Sequence, residues 1–490
     1  MTLVHRVLDE TPIVTLHAYV GIGGGRALDA ARRLGPAATI DEITAAGVRG
    51  RGGAGFPTGR KWRAVAANRS GLEPSTVVVN AAEGEPGSFK DRTLLLRNPY
   101  RTLEGALVAA LAVGADRVIV GMKQAFADVA ARVRRAIDEL GAVDWTDVAT
   151  IEVFEGPGEY LFGEETALLE CIDGRYPVPR IAPPFRRGVD EVVDAPEDDT
   201  SGSGSAAQAE MAGPTDDTVA PPSLVDNVET LAHCALVLAN GSDWFRELGT
   251  PDSPGTVVCT VTGQTNRAGV GEVAMGTPLA DVIDSVGGGA RQGRRVKIVM
   301  QGAAAALIPG DRLDTPVSWE GMEAVGSGLG AAGFIVSDDT AAVAAVAASA
   351  SRFLAVESCG QCTPCKRDGL AIADALDRIR RSEALESDLD TVAESLQTIT
   401  DSARCSLAMQ HQVVIGSVLE LFGDELRSHV AHDHEGTEAV LFAPLGALDG
   451  DIAVLDADAT RKQPDWTFDD TWSGKFPADL LDDHRAQQQL

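Results

Sequence analysis

The chain has 490 residues, a length that suggests about three domains. Its 72 acidic against 42 basic residues give a formal net charge of −30, which argues against a nucleic-acid-binding face and against anionic lipid. With 44% hydrophobic residues and a mean hydropathy near zero, it can bury sizeable cores, and the charge reads as a solubility device.

The opening "MTLVHRVLDETPIVTLHAYV" has no uninterrupted apolar stretch of the signal-peptide kind. The most apolar run, "LEGALVAALAVGADRVIVGM", carries Glu104, Asp116 and Arg117 and breaks at Gly114, so a cytoplasmic location is expected. Next in functional interest is "GVRGRGGAGFPTGRKW", Gly47 to Trp62. Its glycines allow close backbone approach, and Arg49, Arg51, Arg60 and Lys61 supply the positive charge that a phosphate-bearing ligand needs. Taken alone, such a loop is as consistent with a flexible surface turn.

Residues 77 to 170 alternate strand and helix. "TVVVN" is a buried strand, "RTLEGALVAALAVG" a helix stopping at Gly114, and "DRVIVGM" a second strand. "AFADVAARVRRAIDELG" is an amphipathic helix with Phe126, Val129, Val133, Ile137 and Leu140 on one stripe, and "TIEVFEG" is a third strand. This β-α-β-α-β order implies a parallel, Rossmann-like sheet, whose ligands sit at the carboxyl ends of its strands. The loops there, "NAAEGEPGSFKDR" and "GPGEYLFGEETALL", carry Glu83, Glu85, Glu164 and Glu165, which can accept hydrogen bonds from ribose or ribityl hydroxyls.

Gly188 to Pro222 is acidic, rich in Ser, Gly and Ala and without Lys or Arg, and reads as a disordered or lid-like insertion. "TVVCTVTGQTNRAGVGEVAMG" then reads as a hairpin and "TPLADVIDSVGGG" as a helix with a glycine stop. Four amphipathic segments follow: "AAVAAVAASASRFLAV", "GLAIADALDRIRR", "LDTVAESLQTIT" and "HQVVIGSVLELFGDEL". Their apolar spacing predicts a small bundle.

Between the first two lies "ESCGQCTPCKRDG", with Cys359, Cys362 and Cys365 at C-x2-C-x2-C spacing and Cys405 the one later cysteine. Four thiolates can complete the shell of a [4Fe–4S] cluster. Zinc is the rival, although structural zinc usually pairs its cysteines as two separated knuckles rather than three plus one. Cys171, Cys234 and Cys259 stand alone in apolar surroundings and read as core residues. In the tail, Trp466, Phe468 and Trp472 could dock a partner or pack back on the chain, and His429, His432 and His434 read as a solvated helix end rather than a metal site.

The motifs "GRGGAGFPTGRKW", "EGEPGSFKDR", "GEETALLE", "DNVETLAH", "ESCGQCTPC" and the late Cys405 together resemble the NADH-binding flavoprotein subunit of respiratory complex I. The same module serves as the diaphorase subunit of NAD-reducing hydrogenases and NAD-dependent formate dehydrogenases. The resemblance spans about Gly21 to Leu426. It implies an α/β Rossmann-like FMN/NADH domain over residues 1–245, interrupted by the insertion at 186–222. It further implies a ubiquitin-like (SLBB, β-grasp) domain over 246–338, a helical [4Fe–4S] domain over 339–432 and an extension over 433–490.

Carried over position by position, the resemblance implies FMN touching Arg51, Gly52, Gly53, Lys61, Asn80 and Glu83. Tyr160, Gly163 and Glu164 would line its other side, with Asp226, Asn227 and Thr230 near the flavin end. For NAD(H), Glu85 and Glu165 would take the ribose side, and Phe56 and Phe185 would flank the adenine. The cluster ligands would be Cys359, Cys362, Cys365 and Cys405. Hydride transfer from NADH to flavin requires no protein acid or base, so no catalytic residue is assigned. The cluster takes electrons singly, so a partner is needed: a thioredoxin-like [2Fe–2S] subunit or another iron–sulfur acceptor, with membrane contact only through a larger complex. Departures from the family pattern are Ala82 for an Asp, Ala182 for a Lys, Ala64 for an aromatic, and Asp226-Asn227 for Asn-Asn. They leave an alternative open, an electron-relay or scaffold subunit with an intact cluster and a degenerate flavin/NADH pocket.

Overall fold

The computed structural model describes residues 3–70, 73–143, 145–189 and 221–481, so the expected insertion falls outside the described residues over 190–220. Strands β1 (Ser75–Ala81), β2 (Ala115–Lys123), β3 (Thr150–Gly156) and β4 (Ser223–Asn227) form a parallel sheet in the order β3-β2-β1-β4. Both faces are buried, as the run of valines requires. Val77, Val79, Val118 and Val120 enter one core, while Val78, Ile119 and Val225 enter the other. The crossover helix Pro99–Val113 starts with Pro at its first turn, is capped by the Asn98 side chain accepting from the Arg101 N–H, and stops at Gly114 (φ 68°). The second crossover, Ala127–Gly141, buries Val129, Val133 and Leu140 of the expected stripe.

The chain lays down β1, β2 and β3 in one direction and then returns to add β4 on the far side of β1. Strand order therefore reverses between β1 and β4, and a crevice opens beyond their carboxyl ends.

A second, mixed sheet contains β5 (Thr256–Gly263), β6 (Gly269–Ala274), β7 (Val296–Gln301), β8 (Ile308–Pro309) and β9 (Gly333–Asp338), in the order β6-β5-β9-β7-β8. The expected hairpin is β5–β6. The helix Leu279–Gly287 buries Leu279, Val282, Ile283 and Val286 against this sheet and stops at Gly288 (φ 72°). Helices Val343–Glu357, Thr363–Arg380, Glu386–Thr398 and Leu407–Val430 share one further core, and the cysteine loop joins the first two.

After the bundle, β10 (Leu445–Asp449) and β11 (Ile452–Leu455) form a hairpin, and the chain then runs back over the bundle. Trp466 packs back, its Nε1–H donating to Val356 O at 2.9 Å, whereas Phe468 and Trp472 stay half exposed. His429 corrects the solvated reading: its ring is buried within hydrogen-bond distance of Ser382 Oγ, because the turn after Arg380 folds over the helix end. Among the described residues no helix is long and apolar enough to cross a membrane.

Candidate functional site

A cavity of about 1000 Å³ opens at the crevice between β1 and β4. Strand register aligns its base: Asn80 lies opposite Asn227, and Val79 opposite Asp226. The glycine loop closes one side, with the Gly50 N–H donating to Phe56 O at 2.9 Å. Gly52 lies close enough to Asn227 that a Cβ would stand 3.3 Å from that side chain. Gly53 has φ 126°, and the space before it is open, with no atom within 4 Å of a built Cβ. The helix Thr58–Ala67 begins directly after the loop, its Thr58 N–H donating to Val48 O at 2.9 Å, and it sends Arg60, Lys61, Ala64 and Val65 to the cavity wall.

On the opposite wall, Asn80 Nδ2 donates to Gly163 O at 2.8 Å and ties β1 to the turn Tyr160–Gly163. The Glu164 side chain caps the helix Glu165–Ile172, accepting from the N–H groups of Thr166 (3.0 Å) and Ala167 (2.9 Å). Lys61 donates to Val225 O at 2.5 Å, pairs with Glu165, and lies 3.8 Å from Asp226. Burial works against its charge, but Glu165 and Asp226 outweigh it and hold the ammonium above its ordinary range. Asp226 also accepts from Trp62 Nε1 at 2.7 Å, and burial pushes its carboxyl up to about 6.

The two carboxylates of the β1 loop have different surroundings. Glu83 is consumed internally, by Arg92 Nε (2.9 Å), Ser88 Oγ (2.8 Å) and the Asp91 N–H (3.0 Å). Burial opposes its charge, but Arg92 holds the group below its usual value. Glu85 accepts from Tyr160 Oη at 2.6 Å and from the Ala303 N–H at 2.5 Å, and burial raises it to about 6.

Every residue assigned to flavin or nucleotide lines this cavity except Arg51. The Arg51 guanidinium turns away from the cavity into the interior, donating to Thr256 O (3.0 Å) and Arg49 O (3.2 Å) with Nε 3.8 Å from Glu229. Glu229 is fully buried and draws the cation inward; the Arg51 main-chain N–H meanwhile holds Thr230 Oγ1 at 2.8 Å. Phe56 and Phe185 both stand on the wall, as do Ala64 and Ala82, whereas Ala182 does not.

Sequence reasoning missed two walls. Ala304, Ala305, Trp319 and Ser327 to Ala331 come from the second sheet unit, with Arg49 stacked 4.8 Å over Trp319. Met409, Gln410 and Val413 come from the last bundle helix, and Gln410 Nε2 donates to Tyr160 Oη at 3.3 Å.

Cys405 lines the same cavity, at its bundle end. Cys359, Cys362 and Cys365 pack with it in the bundle core, Cys359 and Cys365 buried and the other two half-buried. Burial, and then the charge of neighbouring thiols, push Cys405 up to about 12 and Cys365 up to about 11. Thiols that raise one another in this way stay ionised together only around a cationic centre. Ser358 Oγ lies 3.3 Å from Cys365 Sγ, and Gln361 Nε2 lies 3.6 Å from Cys359 Sγ. Among the described residues no three His, Cys, Asp or Glu side chains close on a single-ion position.

Comparison with known proteins follows the same two-part division. Residues 43–235 match the Nuo51 FMN-binding domain, and residues 345–429 match the NADH-ubiquinone oxidoreductase-F iron-sulfur binding region. An NADH-quinone oxidoreductase F subunit of Rhizobium meliloti (strain 1021) is 33% identical over 426 residues, covering 85% of this chain and 94% of that one. The NADP-reducing hydrogenase subunit HndC of Solidesulfovibrio fructosivorans is 31% identical over 421 residues, 84% and 80% of the two chains. A chain in the crystal structure of NAD+-reducing [NiFe]-hydrogenase in the H2-reduced state superposes with a TM-score of 0.71 at 29% identity, covering 85% of this chain and 67% of that one. With an FMN-binding domain around the β1–β4 crevice and an iron–sulfur region around its late cysteines, the chain belongs to the family of NADH-quinone oxidoreductase F subunits.

Proposed function

We propose that the chain is the NADH-oxidising subunit of a larger electron-transfer assembly, with FMN and NADH in the cavity and a [4Fe–4S] cluster on Cys359, Cys362, Cys365 and Cys405. The observation that carries this reading is continuity: the cavity that begins at the glycine loop ends at Cys405. A flavin held there and a cluster held by the cysteines share one wall. Bound FMN supplies the chemistry that divides a two-electron hydride into single electrons.

The chain's residues hold and orient. Gly52 and Gly53 give the backbone approach, and Lys61 brings positive charge to the wall. Asn80, Asn227, Asp226 and Thr230 form the base, and Tyr160, Gly163 and Glu164 the opposite wall. Glu83 contributes its backbone, since its carboxylate is already paired. Glu85, Glu165, Phe56 and Phe185 are assigned to the nucleotide. Ala82 and Ala64 remove hydrogen-bonding or stacking capacity from the wall; each lost hydrogen bond costs about 1 kcal/mol, a modest weakening. The relay alternative with a degenerate pocket is not favoured, because every assigned residue but Arg51 remains on the wall.

The division into a flavin domain (1–245), an SLBB domain (246–338), a cluster domain (339–432) and an extension belongs to the same proposal. The five-stranded mixed sheet with one packed helix is consistent with a β-grasp unit. Relatives are subunits of NADH-quinone oxidoreductase and of hydrogenases, so partner subunits are implied. We assign the immediate acceptor to a thioredoxin-like [2Fe–2S] subunit or an equivalent, in the cytoplasm, with membranes reached only through the complex. Anaerobic purification with flavin, iron and sulfide quantified together, followed by NADH titration watched by absorbance, tests the reading. NADH bleaching a bound flavin and driving ferricyanide reduction is the expected result. Stoichiometric iron without flavin overturns the catalytic part.

A further inference from the structure

The segment after Val430 lies beyond both matched family regions, yet it is tied to the cysteine loop at several points. Lys462 Nζ stands 2.9 Å from both carboxylate oxygens of Glu357, and both side chains are buried. Trp466 Nε1–H donates to Val356 O at 2.9 Å, and the Ala478 N–H donates to Cys359 O at 2.8 Å. Phe476 covers Gly360: that glycine has φ 87°, and a Cβ on it would stand 2.5 Å from Phe476 Cβ. Lys366 Nζ lies 5.5 Å from the centre of the Phe476 ring. These contacts reach Val356 and Glu357 ahead of the first cysteine, that cysteine itself and Gly360 after it.

Glu357 has one more partner. Its Oε2 accepts from the Tyr160 N–H at 3.1 Å, and Tyr160 stands on the cavity wall with its hydroxyl on Glu85. One carboxylate thus joins the cavity turn, the approach to Cys359 and the C-terminal segment. Of the ammonium groups near it, Lys462 is the one in direct contact; Lys366 instead donates to the carbonyls of Ala355, Val356 and Ser358.

We propose that the C-terminal segment is a strap sealed over the cluster-binding loop, and that Lys462 is its positioning residue, acting through Glu357 to hold that loop and the cavity turn in register. The proposal rests on the cluster reading given above. Without Lys462, an anionic carboxylate is left buried two residues from Cys359, facing only a backbone N–H and more distant cations. The loop then loosens, and the uncompensated negative charge disfavours adding an electron to the cluster. Without Phe476, the cover over Gly360 is lost but the charge balance is kept.

The test uses the full chain, purified anaerobically, as wild type, Lys462→Met, Lys462→Arg, Phe476→Ala and the double variant Glu357→Gln/Lys462→Met. Iron release to a chelator, the cluster's midpoint potential by spectroscopic titration, and flavin content are measured on each. We expect Lys462→Met to release iron at least tenfold faster, because an unpaired buried charge loosens its surroundings, and its potential to move negative. Lys462→Arg stays near wild type. The double variant returns the potential toward wild type, which a merely structural role for Lys462 would not produce. Phe476→Ala speeds release with little change of potential. If Lys462→Met does not accumulate as folded protein, the double variant and Phe476→Ala decide. A wild-type release rate in Phe476→Ala, or, where Lys462→Met folds, a double variant whose potential is no closer to wild type than that of Lys462→Met, overturns the strap alone. A wild-type protein with no iron overturns the cluster reading and the strap with it.

Discussion

Glu229 offers the most demanding check on the electrostatic account of the fold. Its side chain is wholly buried, with Lys90 Nζ 2.9 Å away, Arg51 Nε at 3.8 Å and His233 at 3.5 Å, and it accepts from the Val258 N–H at 2.9 Å. Burial alone would raise its carboxyl, but Lys90, then His233 and Arg51, pull it down to about 2 from an ordinary 4.5. That drop corresponds to about 3 kcal/mol of folding stability at neutral pH. Breaking a buried ion pair by removing one partner costs about 3–5 kcal/mol, a separate route to the same scale. Because the folded value is depressed, the contribution is complete above about 4.5 and is lost as pH falls toward 2. Glu229→Gln should therefore lower stability by about 3 kcal/mol at pH 7 in urea unfolding followed by circular dichroism. The gap between variant and wild type should narrow steadily on acidification. A variant within about 1 kcal/mol of wild type at pH 7, with an identical acid limb, would mean that Asp91, 2.7 Å from Lys90, satisfies that lysine by itself.

Burial pushes Glu272 up to about 7, and Glu85 and Asp226 up to about 6; carboxyls raised in the folded state give stability below their ordinary values that is lost as pH rises through the folded ones. Protein freed of cofactor should therefore lose about 3 kcal/mol between pH 5 and 8 through Glu272 alone, and Glu272→Gln should lack that decline in thermal melts. Gly53→Ala meets no protein atom, so it should cost only about 1–2 kcal/mol of backbone strain while sharply lowering the flavin retained on purification. Flavin content equal to wild type would show that the loop does not face the ligand. Cys405→Ser should drop iron and sulfide to background while keeping flavin, and a full iron complement in that variant would remove Cys405 from the ligand set.

The parallel sheet was legible because its signals are local. Valine runs, a 3.6-residue stripe and Gly114 each announce themselves within one element. β4 gave no such signal: "SLVDN" is five residues long, follows a polar stretch and ends in two turn-forming residues. Yet its position beside β1 creates the crevice. Among the four loop carboxylates, sequence alone could not separate Glu83 from Glu85, because what distinguishes them is Arg92, a turn into the following helix. Arg51 misled for a related reason, since a loop's composition gives its charge but not the direction of each side chain, and here a buried Glu229 decides. Trp319 and Gln410 were invisible because their proximity to the glycine loop is a property of packing between units distant in sequence. The three clustered cysteines stood out by their spacing, and the structure packs them in the bundle core.

The cavity takes its walls from three regions, the parallel sheet, the mixed sheet and the bundle, and their cores interlock: Val258 of β5 packs in the first core, and Ile298 and Met300 of β7 pack in the bundle's. Whatever fills it is therefore mortar as well as cargo. Occupancy at a hundred times the dissociation constant adds about 2.7 kcal/mol to the assembled state. Loss of the occupant should weaken the three regions together, so that loading and final assembly of the chain become a single event.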